Sequence, residues 1–175
     1  DPKPNTYEEG VPYEHFYTNA TIQCPGAEHI YFSFPMRFMH ERHKIYDHKH
    51  VGVSDNVMMT SRDGRHWNRT FLESWVKPGR DQRNWTDRNL IVAQGIVETG
   101  DEFSLFINEN YRWDSSYIRR VTVPKYRFGS MYADRSGGTF TTKPIVFDGK
   151  SLNINYSTSA PGSVRIGIID ENGWP

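Results

Sequence analysis

The sequence predicts an all-β protein, on three observations. Apolar and β-branched residues alternate with polar ones at a period of two through most of the chain, the spacing that turns one face of a strand toward a core. The alternating runs are punctuated by Asp63-Gly64, Thr99-Gly100-Asp101 and Asp148-Gly149-Lys150, turn residues that tolerate the positive φ of a tight hairpin. No segment sustains a helical period of apolar residues.

The clearest stretch is 51–71. Val57, Met59 and Ser61 alternate with Met58 and Thr60 and run into Asp63-Gly64, after which Trp67, Arg69 and Phe71 fall on one face of a return strand. Before it, residues 1–14 carry Pro2, Pro4, Gly10 and Pro12 and read as an extended lead-in. Residues 15–22 form a short strand that is broken at Pro25-Gly26. Residues 29–39 form a second, in which Pro35 implies an edge position or a bulge because it cannot donate to a ladder. Residues 40–50 are a charged loop.

After the hairpin, 71–89 is a polar and aromatic connection, long enough that function rather than idle linkage is expected of it. Strands follow at 89–99 and 102–110 around Thr99-Gly100-Asp101, then at 116–123, stopped by Pro124, and at 126–134 with a kink at Gly129. The rhythm changes after Ser136-Gly137-Gly138. Strands at 139–147, 151–158 and 163–170 then read as a half-buried antiparallel sheet, with Leu152, Ile154 and Tyr156, and Val164, Ile166 and Ile168, in regular alternation.

Two sets of four strands can be drawn, over 17–71 and 89–147, and four-stranded units repeated at this spacing mark propeller blades. Two blades do not close a ring. Either the chain is the back part of a larger propeller or its strands form an open sandwich. Asn172-Gly173, a turn with almost nothing after it, favours the first.

Composition removes other classes. Lys+Arg and Asp+Glu balance at 21 each, so no field favours nucleic acid or an anionic membrane, and no apolar run reaches membrane-spanning length. A single cysteine, Cys24, excludes an internal disulfide framework and a cysteine cage for zinc. The aromatic share, 14%, suits sheets and also suits the flat C–H faces of sugars. The opening residues do not form a signal peptide, so the chain is cytosolic, already processed or cut from something longer. Sequons begin at Asn19, Asn68, Asn84 and Asn155 and carry meaning only in a eukaryotic secretory protein.

Six segments together, EHFYTNAT, YFSFPMRF, SDNVMMTSRDGRHWNRTF, NWTDRNL, GIVETGDEFSLFIN and TKPIVFDGKSLNINYSTSAPGSVRIGIIDENG, resemble a group of bacterial secreted proteins similar to glycoside hydrolase families 32 and 43. The resemblance runs from about Glu14 to the end. It implies a five-bladed β-propeller followed by a β-sandwich, with two blades in 1–135 and the start of the sandwich in 136–175. It also implies a secreted or periplasmic protein that acts on a poly- or oligosaccharide, without a cofactor, and that is completed by an N-terminal part or a second chain; the alternatives are a non-catalytic glycan-binding module and a structural or assembly β-domain whose open sheet edge pairs with a neighbour. The related hydrolases carry their nucleophile or base on the first blade, and no residue here matches it.

Glycosidic cleavage uses two carboxyl groups about 5 to 10 Å apart. The candidates are Asp55, Asp63, Glu73, Asp87, Glu98 and Glu109. Asp63 reads as a turn residue, and Glu98 and Glu109 as solvated strand ends. Asp87 is the catalytic candidate. With Trp85, Arg88 and Asn89 it places an aromatic, a carboxylate, a guanidinium and an amide within five residues, the equipment of a sugar subsite. The alternative is an ion pair from Asp87 to Arg88 or Arg83 that pins the loop. His15, Tyr17 and Asn19 alternate along the first strand and line a funnel if that strand is innermost in a blade, or one face of an edge strand in a sandwich. Arg37 is a comparable binding candidate, and Trp67, Trp75 and Trp85 are candidate stacking platforms. His40, His43, His48 and His50, with Glu41 and Asp47, crowd one loop. A plain polar loop outweighs a metal site there, since H-E-R-H is one residue short of the zinc-protease pattern. No phosphate-binding loop and no nucleophile elbow occurs.

Overall fold

The computed structural model describes residues 14–71, 73–170 and 172–174, so the predicted lead-in lies outside the described residues except for Glu14. Ten strands form three antiparallel sheets, and among the described residues the one helical piece is a single 3₁₀ turn, Gln82–Asn84, capped by the Asp81 side chain on the Arg83 N–H. The all-β expectation is correct. The chain divides into two units, Asp1–Ser130 and Met131–Pro175, and all ten strands belong to the first.

Seven strands build the first part of that unit: β1 (His15–Tyr17), β2 (Ile22–Cys24), β3 (Ala27–Ser33), β4 (Met36–Met39), β5 (Val53–Asn56), β6 (Met59–Ser61) and β7 (Trp67–Asn68). They lie in two sheets, ordered β1-β4-β5 and β2-β3-β6-β7. Taken together these are one four-stranded meander bent across its middle, since β1–β2, β3–β4 and β5–β6 are each a longer run interrupted once. The sequence places a different obstacle at each interruption. Thr18 and Ala20 take positive φ, 57° and 40°, so the predicted strand 15–22 is two strands in two sheets. Pro35 lacks the N–H that the ladder needs, so 29–39 breaks at Phe34-Pro35. Pro35 is therefore not at a sheet edge, because β3 and β4 are both interior strands. Side chains and loose backbone groups repair the bend. Asn56 Nδ2 donates to the Phe34 and Pro35 carbonyls at 2.8 and 3.2 Å, and the Phe34 N–H to the Asn19 carbonyl at 2.9 Å.

The Asp63-Gly64 hairpin forms, with a loop over 62–66 that is wider than the tight turn its dipeptide suggests. Thr60 pairs Asn68 and Ser61 pairs Trp67. Asp63 Oδ1 accepts the N–H groups of Arg65 and His66 at 2.9 and 2.8 Å, and Gly64 supplies the one positive φ, 71°. The return strand ends at Asn68, short of Arg69 and Phe71.

The remaining strands are β8 (Val97–Thr99), β9 (Glu102–Glu109) and β10 (Tyr117–Pro124), in the order β10-β9-β8. The predicted strand 89–99 follows β9 as two pieces. Leu90 and Ala93 donate to Asn108 and Phe106 at 3.0 and 2.8 Å, then Gly95 at φ 124° interrupts before β8. No strand forms at 126–134. After Pro124 a turn, closed by Arg127 N–H to the Pro124 carbonyl at 3.0 Å, drops Phe128 into the core.

That core lies between the bent meander and the β10-β9-β8 sheet: Phe32 and Phe34 from one side, Leu90, Val92, Phe103, Leu105 and Ile107 from the other, with Cys24 and Phe128 among them. The Phe128 ring sits 4.3 Å from Phe32 and 5.7 Å from Phe103, within the spacing of favourable aromatic pairs.

The second unit corrects the sequence reading. The strands expected at 139–147, 151–158 and 163–170 are absent among its described residues, which make turns but no ladder. Leu152, Tyr156 and Ile168 are 66%, 68% and 72% exposed. Alternation prepares a face for burial, but a strand also needs a neighbour to take its backbone groups.

Candidate functional site

Phe16, Arg37 and Asp55 form one cross-strand row over β1, β4 and β5. Arg37 grips Asp55 bidentately, Nε to Oδ1 at 2.9 Å and Nη2 to Oδ2 at 2.7 Å, and its Nη1 reaches Glu14 at 2.9 Å. Ser74 donates to Asp55, and Arg69, lying 4.4 Å over the Phe16 ring, donates to Glu14 at 2.9 Å. The side chains of Arg37 and Asp55 are 9% and 3% exposed. Burial alone would lower the Arg37 pKa, but the hydrogen bonds and charges of Asp55 and Glu14 raise it. Arg37, a binding candidate by sequence, is thus inside the sheet and ties the meander to the 73–76 segment.

The 84–89 segment is held as firmly. The Ser54 N–H donates to the Thr86 carbonyl at 3.1 Å, and Ser54 Oγ accepts the Arg88 N–H at 2.8 Å. Asn89, fully buried, donates to Thr86 Oγ1 at 2.7 Å and accepts the Tyr111 N–H at 2.7 Å. Trp85 donates its indole N–H to the Gly79 carbonyl at 2.9 Å. Asp87, 8% exposed, faces Arg112 with both carboxylate oxygens at 3.3 Å, and Arg88 at 3.7 Å. The sequence anticipated the Arg88 pair but not Arg112. Arg83 instead pairs with Asp81 at 2.8 Å. Of the group Trp85, Asp87, Arg88 and Asn89, only Arg88 presents an exposed side chain, 57% by area.

Two of the binding candidates do meet at the surface. His15 and Tyr17 project from the same face of β1 with their rings 6.4 Å apart, and both stand near Phe38 of β4, at 6.2 and 6.1 Å. His40 stacks on His15 at 5.5 Å and 17°. Tyr17 is 50% exposed. Asn19 does not join them, because β1 ends at Tyr17. Its side chain caps the turn by accepting the Thr21 N–H at 3.3 Å.

From His40 the histidine loop runs to His50 and returns beneath the patch at Gly52, whose φ of 93° and closeness to Phe38, 2.2 Å from a built Cβ to the ring, leave no room for a side chain. Across the loop lies the turn after β9. Together they border an open pocket of about 530 Å³, lined by Ile45, Asp47, His48, Lys49, His50, Arg112 and Trp113. The His48 ring lies 5.4 Å from Trp113, and its Nδ1 is 3.2 Å from the His50 N–H. His50 has a lowered pKa, first through burial and then through the charge of Arg112. Among the described residues no three His, Cys, Asp or Glu side chains gather in a metal-holding arrangement.

Other candidates have structural partners. Trp75 packs 4.8 Å from Phe34 and donates to the Phe128 carbonyl, so it belongs to the core margin. Glu109, read as solvated, is 4% exposed and pairs with Arg119 at 2.6 Å. Glu98 pairs with Lys125 at 2.6 Å and Glu73 with Lys77 at 3.5 Å. Sequence reasoning passed over Phe38, Arg112 and Trp113. The available signal was an aromatic beside a guanidinium in a turn that follows a strand. No protein-family model, curated protein or solved structure matches this chain.

Proposed function

We propose that this chain is the glycan-binding part of a secreted, propeller-type carbohydrate-active protein, with sugar rings stacking on His15, Tyr17, Phe38 and His40. The observation that carries the reading is that patch: four rings on one sheet face, with Tyr17 half exposed. Exposed rings gathered on one face are a common mark of a binding site, and sugar C–H faces suit them. The bent four-stranded meander supports the blade reading, since a blade is a four-stranded antiparallel unit whose first strand lies innermost. Titration against a glycan array tests it: Tyr17→Ala with Phe38→Ala abolishes binding of the sugar that the wild type selects. Unchanged affinity in that double variant refutes the patch as the site.

A hydrolytic reading rests on Asp87, which reaches the pocket wall through Arg112. Turnover of a bound oligosaccharide that disappears in Asp87→Asn, while Asp87→Asn retains binding, supports it. Binding without turnover by the wild type assigns the chain to recognition alone.

A further inference from the structure

We propose that the pocket between the histidine loop and the Arg112-Trp113 turn is a subsite for an anionic sugar unit, one bearing a carboxylate or sulfate ester, lying beside the stacking patch and extending it. This rests on the glycan reading for the sugar and on the pocket's own chemistry for the charge. The pocket and patch share one loop: it leaves the patch at His40, contributes Ile45 and 47–50 to the pocket wall, and returns at Gly52 against Phe38.

The pocket wall is rich in donors. Arg112 turns Nε and Nη2 to Asp87, which leaves Nη1 without a hydrogen bond among the described residues. Lys49 makes no ion pair there either. Trp113 Nε1 is buried without an acceptor. An indole N–H can only donate, and the Trp113 side chain lines the pocket. At His50 the charge of Arg112 lowers the pKa and that of Asp87 opposes it. Asp47 is the one acidic side chain in the lining and is exposed, so solvent and salt screen its repulsion of an anion. Asp87 holds Arg112 in place, so it is a positioning residue for this subsite. An oxyanion of two or three oxygens matches a guanidinium edge and neighbouring donors better than a neutral hydroxymethyl group does.

The test is calorimetric titration of the full chain with three probes: α-1,4-linked trigalacturonate, its methyl ester and a sulfated galactan oligosaccharide. The acid is expected to bind about tenfold tighter than the ester, the contribution of one charge-assisted hydrogen bond. Lys49→Ala with His50→Ala is expected to erase that difference by weakening the acid more than the ester. Arg112→Gln is expected to do the same, and a thermal melt checks that it folds. Preference for the sulfated probe also supports the anionic subsite and assigns the sulfate source. Equal binding of acid and ester, with no gain from sulfate, overturns the inference and leaves the glycan reading standing. Binding of none of the three, with a neutral sugar still bound at the patch, overturns it equally. No binding to any glycan removes both.

Discussion

Asp55→Ala is the sharpest test of how this fold is held. The substitution removes both oxygens that accept Arg37 Nε and Nη2, at 2.9 and 2.7 Å, and the acceptor of the Ser74 hydroxyl. Arg37 cannot turn to water, because its side chain is 9% exposed and lies in an interior strand. Glu14 still compensates part of the charge, at 2.9 Å, but from a position 32% exposed. Removing one partner of a buried ion pair costs about 3 to 5 kcal/mol, and the retained Glu14 contact puts the expected loss near the lower end, about 3 kcal/mol. A domain of ordinary stability, about 5 to 15 kcal/mol, would lose a substantial part of it. Urea unfolding followed by tryptophan fluorescence reads this directly. With a slope of about 2 kcal/mol per molar, the midpoint drops by about 1.5 M at unchanged slope. Replacing both partners, Arg37→Met with Asp55→Leu, recovers most of the loss, since neither leaves a buried charge behind. A loss under about 1 kcal/mol in Asp55→Ala would refute the reasoning, because it would mean that the guanidinium is solvated or satisfied elsewhere.

Three further outcomes are expected. Gly52→Ala strains a backbone at φ 93° and drives a Cβ into the Phe38 ring, so stability falls by about 1 to 3 kcal/mol and sugar binding at the patch weakens with it; a melt and a titration on the same sample check both. His66, bonded at 2.6 Å to Asp63, titrates above the ordinary histidine value, and Asp63→Asn brings it back, as two-dimensional NMR of the ring protons would show. The sign follows from the raised value: the pair supports the hairpin below the unfolded histidine pKa, and that support is lost as pH rises through the folded one. Cys24, 2% exposed and pushed up first by burial and then by Glu28 and Glu98, resists a thiol reagent in the native state and reacts only upon unfolding. Fast labelling of the folded chain would contradict the packing around it.

The all-β class, the hairpins at Asp63-Gly64 and Gly100-Asp101, and the placing of His15 and Tyr17 on one face of the first strand were legible in the sequence. Each of these is written in local spacing: a period of two, a residue that accepts positive φ, two rings two residues apart. Tertiary structure decided the rest. Pro35 announced an interruption, but only the neighbouring runs, each broken at the same level, turned three interruptions into one bend across a meander. For Asp87 the sequence offered Arg88 or Arg83 as a partner but not Arg112, remote in the chain, which closes on it with both carboxylate oxygens. The pocket joins residues 45–50 to 112–113, a juxtaposition that no spacing rule encodes. The same reason explains the strands expected at 139–170: alternation is a property of one segment, whereas a sheet is a property of two.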